Sequence, residues 1–391
     1  MAEIKKFKKN EYEEQIRKHK IRKSICIVLV ILLVIIIIVA AKITADTKTY
    51  TTYKVKKTVE TSVSAEAGVL YYDKDVLVYS IDGAHCMDTK GSQRWNITYQ
   101  MNKPLIDVNG EFAVIGDYNG NTLYVMNKSG VQGEILTPLP IKKFSVSESG
   151  YVAAILGNNS ENCIYLYRMD GEIIGYFHTT MEAMGYPFDL SLSDNGKLIA
   201  VDFIKVDLDN AEKGYVSCVN FFNFGAVGAN FNDNLVGYCN YDSEVVSRVC
   251  YMDNEYCFGL SDAHLYIYKG KQEPVPDATI ELEAEVQSLY YDDNNIGIVY
   301  VNRQADGYYM KIYSKAGKLK GTIEFDLDYK DIVFGNDRVI IYNNNECAIY
   351  SFSGKEKYNS NIDGGILLII PSSKTKYVVV TKEEINHIEL K

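Results

Sequence analysis

A chain of 391 residues with 47% hydrophobic and 24% charged residues has a globular balance and is long enough for one large or two ordinary domains. Its formal net charge of −10 excludes a surface that holds nucleic acid by general electrostatics. The 32 tyrosines and only 7 prolines favour strands over helices, so composition leans all-β.

The first segment, Met1 to Lys23, carries nine basic residues against four acidic ones. It is followed by SICIVLVILLVIIIIVAA, Ser24 to Ala41, with no charge at all. At about 1.5 Å per residue a helix of this length spans about 27 Å, close to the roughly 30 Å of a hydrocarbon core. The run predicts one transmembrane helix. Val39 and Ala41 suit a signal-peptide cleavage site, but the apolar run exceeds the roughly 7–15 residues of such peptides, so an uncleaved anchor is expected. The 23 residues after Ala41 hold five Lys or Arg against the nine before Ser24. This asymmetry predicts an N-terminus inside and the remainder outside the cytoplasmic membrane. Beyond the span 32 basic residues face 47 acidic ones. The basic tail, by contrast, suits an anionic leaflet.

Past the span an apolar strand, a short polar turn and a second apolar strand recur eight times, from VLYYDKDVLVYS through KFSVSESGYVAAILG to LLIIPSSKTKYVVV. The last apolar residues before the turns are Tyr72, Val108, Val146, Leu192, Tyr251, Tyr291, Phe334 and Ile370, about forty residues apart. A third strand follows each hairpin and closes on a glycine: Gly91, Gly130, Gly171, Gly225, Gly270, Gly317 and Gly354. NTLYVMNKSG, Asn121 to Gly130, is one such strand with its turn. A weaker fourth strand comes next, as in RWNITY. Four strands per forty residues is the pattern of a propeller blade.

The last unit supplies three strands before the chain stops at Lys391, while the β-prone Thr49 to Ser64 has no place upstream. That segment is expected to supply the missing strand and close the ring. The fold class is therefore an all-β, eight-bladed β-propeller (seven-bladed as the alternative count) preceded by one transmembrane helix. Its divisions are a cytoplasmic basic tail at 1–23, the membrane span at 24–41, a linker and ring-closing strand at 42–64 and an extracytoplasmic propeller at 65–391. The longest spacing falls at KLIAVDFIKVDLDNAEKGYVSCVNFFNF, read as an over-long hairpin. It turns at Asp209-Asn210, with Asp207 and Glu212 beside the turn, and is expected to project as a contact element.

MDTKGSQRWNI, Met87 to Ile97, resembles the repeat of quinoprotein-like propellers, with Asp88, Gly91 and Trp95 at the matching positions. The resemblance implies that Trp95 docks successive blades. Trp95 is the sole tryptophan, so quinone binding is not implied. FSVSESGYVAAI and LSLSDNGKLIAV are similar to the hairpins of WD40-like and TolB-like blades. The whole layout resembles a set of uncharacterised Gram-positive envelope proteins with a basic tail, one span and a propeller.

No HExxH, GxSxG or GxxxxGK[ST] occurs. No catalytic residue, cofactor site or metal site is assigned. His85, His264 and His387 fall on third strands of separate blades, and His178 reads as an ordinary strand or loop histidine. Asp292 and Asp293, and the set Asp326, Asp328 and Asp331, read as solvated acidic turns. In CYMDNEYC a turn at Asp253-Asn254 would set Cys250 opposite Cys257, within reach of a disulfide. These features point to a non-enzymatic binding or scaffold module. Its expected partners are membrane lipid through the helix and an envelope protein or glycan through the ring, with no nucleic acid. An envelope hydrolase or lyase with channel carboxylates, and a ligand sensor, are the alternatives.

Overall fold

The computed structural model describes residues 17, 19–25, 27–35, 47–64, 66–182, 184–206 and 214–391. Residues 19–25 and 27–35 are helical. The large apolar side chains of 27–35 are all exposed, Ile27 at 57% and Leu33 at 60%. Among the described residues no helix is long and apolar enough to cross a membrane. The apolar run continues through residues 36–41, and that part, with Ala41, lies outside the described residues, as does Cys26.

From Thr51 onward the chain is a unit of its own. Its strands form eight four-stranded antiparallel sheets. Blades 1 to 7 span 68–98, 104–136, 141–179, 186–242, 246–281, 286–325 and 331–361 in unbroken chain order. Blade 8 takes three strands from 368–390 and its outer strand from Tyr53–Glu60. The outer strand pairs antiparallel with the third, from Tyr53↔Leu390 to Glu60↔Glu384. Lys391 seals the join by donating its N–H to Thr52 at 2.8 Å. Strands from 53–60 and 368–390 thus complete one sheet and close the ring.

The second strand of each blade shows why the sequence reads as continuous apolar runs. In VAAIL of blade 3, Val152, Ala154 and Leu156 face blade 2, while Ala153 and Ile155 face blade 4. Alternate residues feed two cores, one on each side, so period-2 alternation is replaced by an unbroken apolar stretch. Blades 4 and 5, 5 and 6, 6 and 7, 8 and 1, and 1 and 2 share cores in the same way. The hydrophobic core of this fold therefore sits between sheets.

The closing glycines behave as the sequence suggests at six places: Gly91, Gly130, Gly171, Gly270, Gly317 and Gly354 all have positive φ. Gly225 does not. There the third strand runs into two short 3₁₀ turns, Gly228–Asn230 and Asn232–Asn234, instead of a tight reversal. Asn223 Oδ1 accepts the Gly225 N–H at 2.7 Å and holds that wider exit.

Candidate functional site

The inner strands of all eight blades line one axial cavity of about 730 Å³. Polar residues interrupt the otherwise apolar inner strands at this wall. Asp107 on blade 2 accepts the Val146 N–H of blade 3 at 2.7 Å. Ser145 on blade 3 accepts the Leu192 N–H of blade 4 at 3.4 Å. On blade 4, Asp189 accepts the Val249 N–H at 2.9 Å and Ser191 the Tyr251 N–H at 2.9 Å, both from blade 5. Each acceptor catches a backbone donor of the next inner strand, a donor that its own sheet leaves unpaired at the channel wall. The inner strands of blades 3, 4 and 5 carry bulges at 141/143, 187/189 and 246/248, beside Ser145, Asp189 and Arg248.

Charge is concentrated on the same side of the channel. Buried Asp189 holds Lys143 of blade 3 and lies 3.8 Å from Arg248 Nε of blade 5. Arg248 donates to the Tyr291 hydroxyl of blade 6 at 2.6 Å, and its guanidinium stands over the Tyr291 ring at 5.7 Å. Burial opposes the Arg248 charge, but Tyr291 and Asp189 outweigh it and raise the group above its ordinary value. Asp202 pairs in register with Asp189. Its two carboxyl oxygens have no hydrogen-bond partner among the described residues. Burial, and then the neighbouring Asp189 charge, push it up to about 8. Burial likewise raises Asp107, against the Val146 hydrogen bond and the nearby Arg248.

The first-to-second strand turns ring one mouth of this channel, and their carboxylates crowd together. Asp194 of blade 4 is pushed up to about 6 by burial, offset by a hydrogen bond from Asn109 and reinforced by Glu148, Asp293 and Asp253. Asp293 of blade 6 is raised by burial and by Asp292 and Glu148. Asp253 moves the other way, because Lys315 reaches it at 2.6 Å and the Tyr256 and Glu255 N–H groups donate to it. The turns are also tied to one another: Ser149 donates to Asp194 O at 2.9 Å and Asn195 N–H to Asn254 Oδ1 at 2.8 Å. The mouth is a laced rim with two carboxyls, Asp194 and Asp293, raised above their ordinary value.

The residues singled out from sequence fall in several places. Trp95, on the outer strand of blade 1, is buried in the core shared with blade 2, beside Ala113, Ile115 and Met126. It meets Tyr72 edge-on at 6.5 Å. Asp88 accepts the Lys90 and Ser92 N–H groups at 2.8 and 2.9 Å and shapes the turn in which Gly91 sits. A Cβ at Gly91 would strike Val59 of the ring-closing strand, so glycine serves a close approach of blades 1 and 8 as well as a turn. Asp88, Gly91 and Trp95 thus stand at blade junctions and away from the channel. Asp207, Asp209, Asn210 and Glu212 lie outside the described residues. The arms of their hairpin run in register from Leu198↔Asn223 to Val206↔Tyr215.

Two sequence expectations are corrected. Cys250 and Cys257 are free thiols, and the register pairs Tyr251 with Cys257. Asp253 caps the turn and makes it a three-residue loop, Asp253–Glu255, closed by the Met252 N–H to Tyr256 O bond at 2.9 Å. That single extra residue sends the two cysteines into different cores. Asp331 and Asp293, read as solvated, line the channel, and Asp331 accepts the Tyr342 hydroxyl at 2.9 Å. Of the histidines, His387 contacts the Thr89 carbonyl oxygen of blade 1 at 2.7 Å, and His264 contacts Glu244 at 3.0 Å. The docking acceptors Asp107, Ser145, Asp189 and Ser191 were missed. Their signal was available as polar residues inside the inner-strand runs LIDVNG, KFSVSES and DLSLSD.

No curated protein matches the chain. Among solved structures it is similar to BamB from Moraxella catarrhalis, with a TM-score of 0.50 and 10% identity over 87% of this chain and 100% of that one. It is also similar to Sqt1 from Saccharomyces cerevisiae, with a TM-score of 0.50 and 13% identity over 88% and 99% of the two chains. At these identities the likeness is one of fold alone. The chain belongs to a family of unknown function, DUF5711, which matches residues 46–390.

Proposed function

We propose that this protein is a membrane-tethered binding or scaffold module whose propeller lies on the outer side of the cytoplasmic membrane. The observation that carries the binding role is the rim: loops from successive blades, tied to one another, surround one channel on a closed rigid ring. Such a surface presents polar groups at fixed spacing without moving. The charges deeper in the wall are engaged in holding blades 3 to 6 together, which leaves the rim as the recognition surface. The tether rests on the uncharged run Ser24 to Ala41 and on the exposed apolar side chains of 27–35, which surround the helix on every side. The orientation rests on the lysine and arginine asymmetry around that run. The partner is an envelope protein or glycan. Cross-linking of the full-length chain in cells, followed by affinity recovery, should capture a reproducible partner, and Asp194→Lys at the rim should lose it. Recovery of nothing above background across growth phases would argue against the proposal.

A second reading is supported by one observation, the two rim carboxyls Asp194 and Asp293 that hold their protons above the ordinary range. Carboxyls raised by burial and by neighbouring carboxylates suit general acid catalysis in an envelope hydrolase or lyase. Turnover of a cell-wall glycan by the purified chain, abolished by Asp194→Asn, would favour this reading over the scaffold.

A further inference from the structure

The third and outer strands of blade 3, Asn162–Tyr167 and Ile173–Thr179, carry a cluster remote from the channel wall. Cys163 and His178 are opposed in register across these two strands. Cys163 Sγ lies 3.0 Å from His178 Nδ1, and Glu161 Oε2 lies 4.0 Å from the same nitrogen. All three donor atoms fall within 4.8 Å of one another. We propose that Glu161, Cys163 and His178 form a three-ligand site for a divalent transition metal of the zinc class, with the fourth position open to water or an outside ligand.

The chemistry selects the metal. One thiolate, one imidazole and one carboxylate suit a borderline ion such as Zn²⁺. All-oxygen ions such as Mg²⁺ and Ca²⁺ find only one suitable donor. Around a tetrahedral ion with bonds of about 2.0–2.3 Å, donor atoms stand about 3.3–3.8 Å apart. The observed 3.0 and 4.0 Å bracket that spacing. Small rotations of Glu161 and His178, whose side chains are 47% and 59% exposed, close the difference. Cys163 is buried and fixed by the strand pairing beneath them. The imidazole is steadied by Tyr176, edge-on at 5.9 Å, which in turn stacks on Tyr165 at 4.9 Å. With Nδ1 on the metal, the imidazole proton sits on Nε2. Binding converts the thiol to thiolate and releases its proton to solvent. Because the thiol must lose its proton to bind, affinity should climb with pH.

The test is titration of the reduced full-length chain with Co²⁺ under anaerobic conditions, then with Zn²⁺. Wild type should bind Co²⁺ stoichiometrically with a thiolate-to-cobalt charge-transfer band, and Zn²⁺ should abolish the band. Cys163→Ser should lack the band. His178→Ala, a change at an exposed side chain, should weaken binding on the order of a hundredfold while melting like metal-free wild type. Zn²⁺ should raise the melting temperature of wild type and leave that of His178→Ala unmoved. Absence of the band in wild type, or an equal band and affinity in Cys163→Ser and His178→Ala, would overturn the site and leave the Cys163–His178 contact as packing only.

Discussion

The junction between blades 1 and 2 and the junction between blades 4 and 5 solve one problem with opposite chemistry. Between blades 1 and 2, Trp95 fills the gap with Tyr72, Ala113, Ile115 and Met126. Between blades 4 and 5, an apolar core is still present, but the channel end is held by Asp189, Ser191 and Arg248. An apolar junction gains from area removed from water and tolerates imprecise orientation. A polar junction fixes register, because each buried acceptor must find its donor or lose on the order of 1–3 kcal/mol. The ring places its strictest geometry at blades 4 and 5, next to the crowded carboxylates of the rim.

Both junctions presuppose a closed ring, so breaking closure should have the largest effect. Deleting residues 49–64 removes the outer strand of blade 8 and takes Val59 and Val63 from the core shared by blades 8 and 1. The melting temperature should fall by more than about 10 °C, or cooperative unfolding should vanish. An unchanged melting curve would show that blade 8 does not depend on this strand, and the contrast between junctions would lose its frame.

Next come paired substitutions at the two junctions. Trp95→Ala should cost about 3–5 kcal/mol through lost burial and the space left behind. Asp189→Leu should cost a similar 3–5 kcal/mol or so, because Lys143 and Arg248 are then left without their shared counter-charge. The losses differ in how they can be repaired. Adding Lys143→Met and Arg248→Met to Asp189→Leu should recover a large part of the stability, since an ionic set replaced whole by apolar groups is often near neutral. Urea unfolding of the four proteins measures this. A triple variant no more stable than Asp189→Leu alone would mean that the Val249 hydrogen bond, and not the ion pairs, carries the junction.

The repeat was legible in sequence because each blade writes the same alternation and turn. Closure was legible from a deficit: LLIIPSSKTKYVVV and INHIEL make three strands, and a fourth had to come from elsewhere. What escaped was set by contacts across the chain. Asp253 lengthens its turn by one residue and so moves Cys257 off Cys250, a shift that the spacing of the cysteines does not reveal. Gly225 looks like its six counterparts, yet the following 3₁₀ turns remove its need for positive φ. Cys163 and His178 are fifteen residues apart, and only the pairing of third and outer strands makes them neighbours. Trp95 was found because MDTKGSQRWNI resembles a known blade repeat, whereas Asp189 is one acidic residue among 51 Asp and Glu.

Asp202 gives the smallest expected effect and the one most specific to the polar junction. Its carboxyl stands beside Asp189 without a hydrogen-bond partner among the described residues, and burial raises it from 3.8 to about 8. An acid raised in the folded state holds its proton there after the unfolded chain has released it. Its contribution to stability is therefore full below about pH 4, falls as pH climbs toward about 8, and is then constant. Within that window a single site removes at most about 1.4 kcal/mol per pH unit. Asp202→Asn abolishes the titration while keeping the shape. Between about pH 5 and pH 8 the difference in unfolding free energy should move toward the variant by on the order of 3 kcal/mol. Trp95→Ala, which touches no titrating group of this junction, should show the same deficit at both ends of the range. If Asp202→Asn instead tracks wild type at a fixed offset across the window, Asp202 is an ordinary acid in the folded protein, and the polar junction differs from the apolar one in geometry but not in its response to protons.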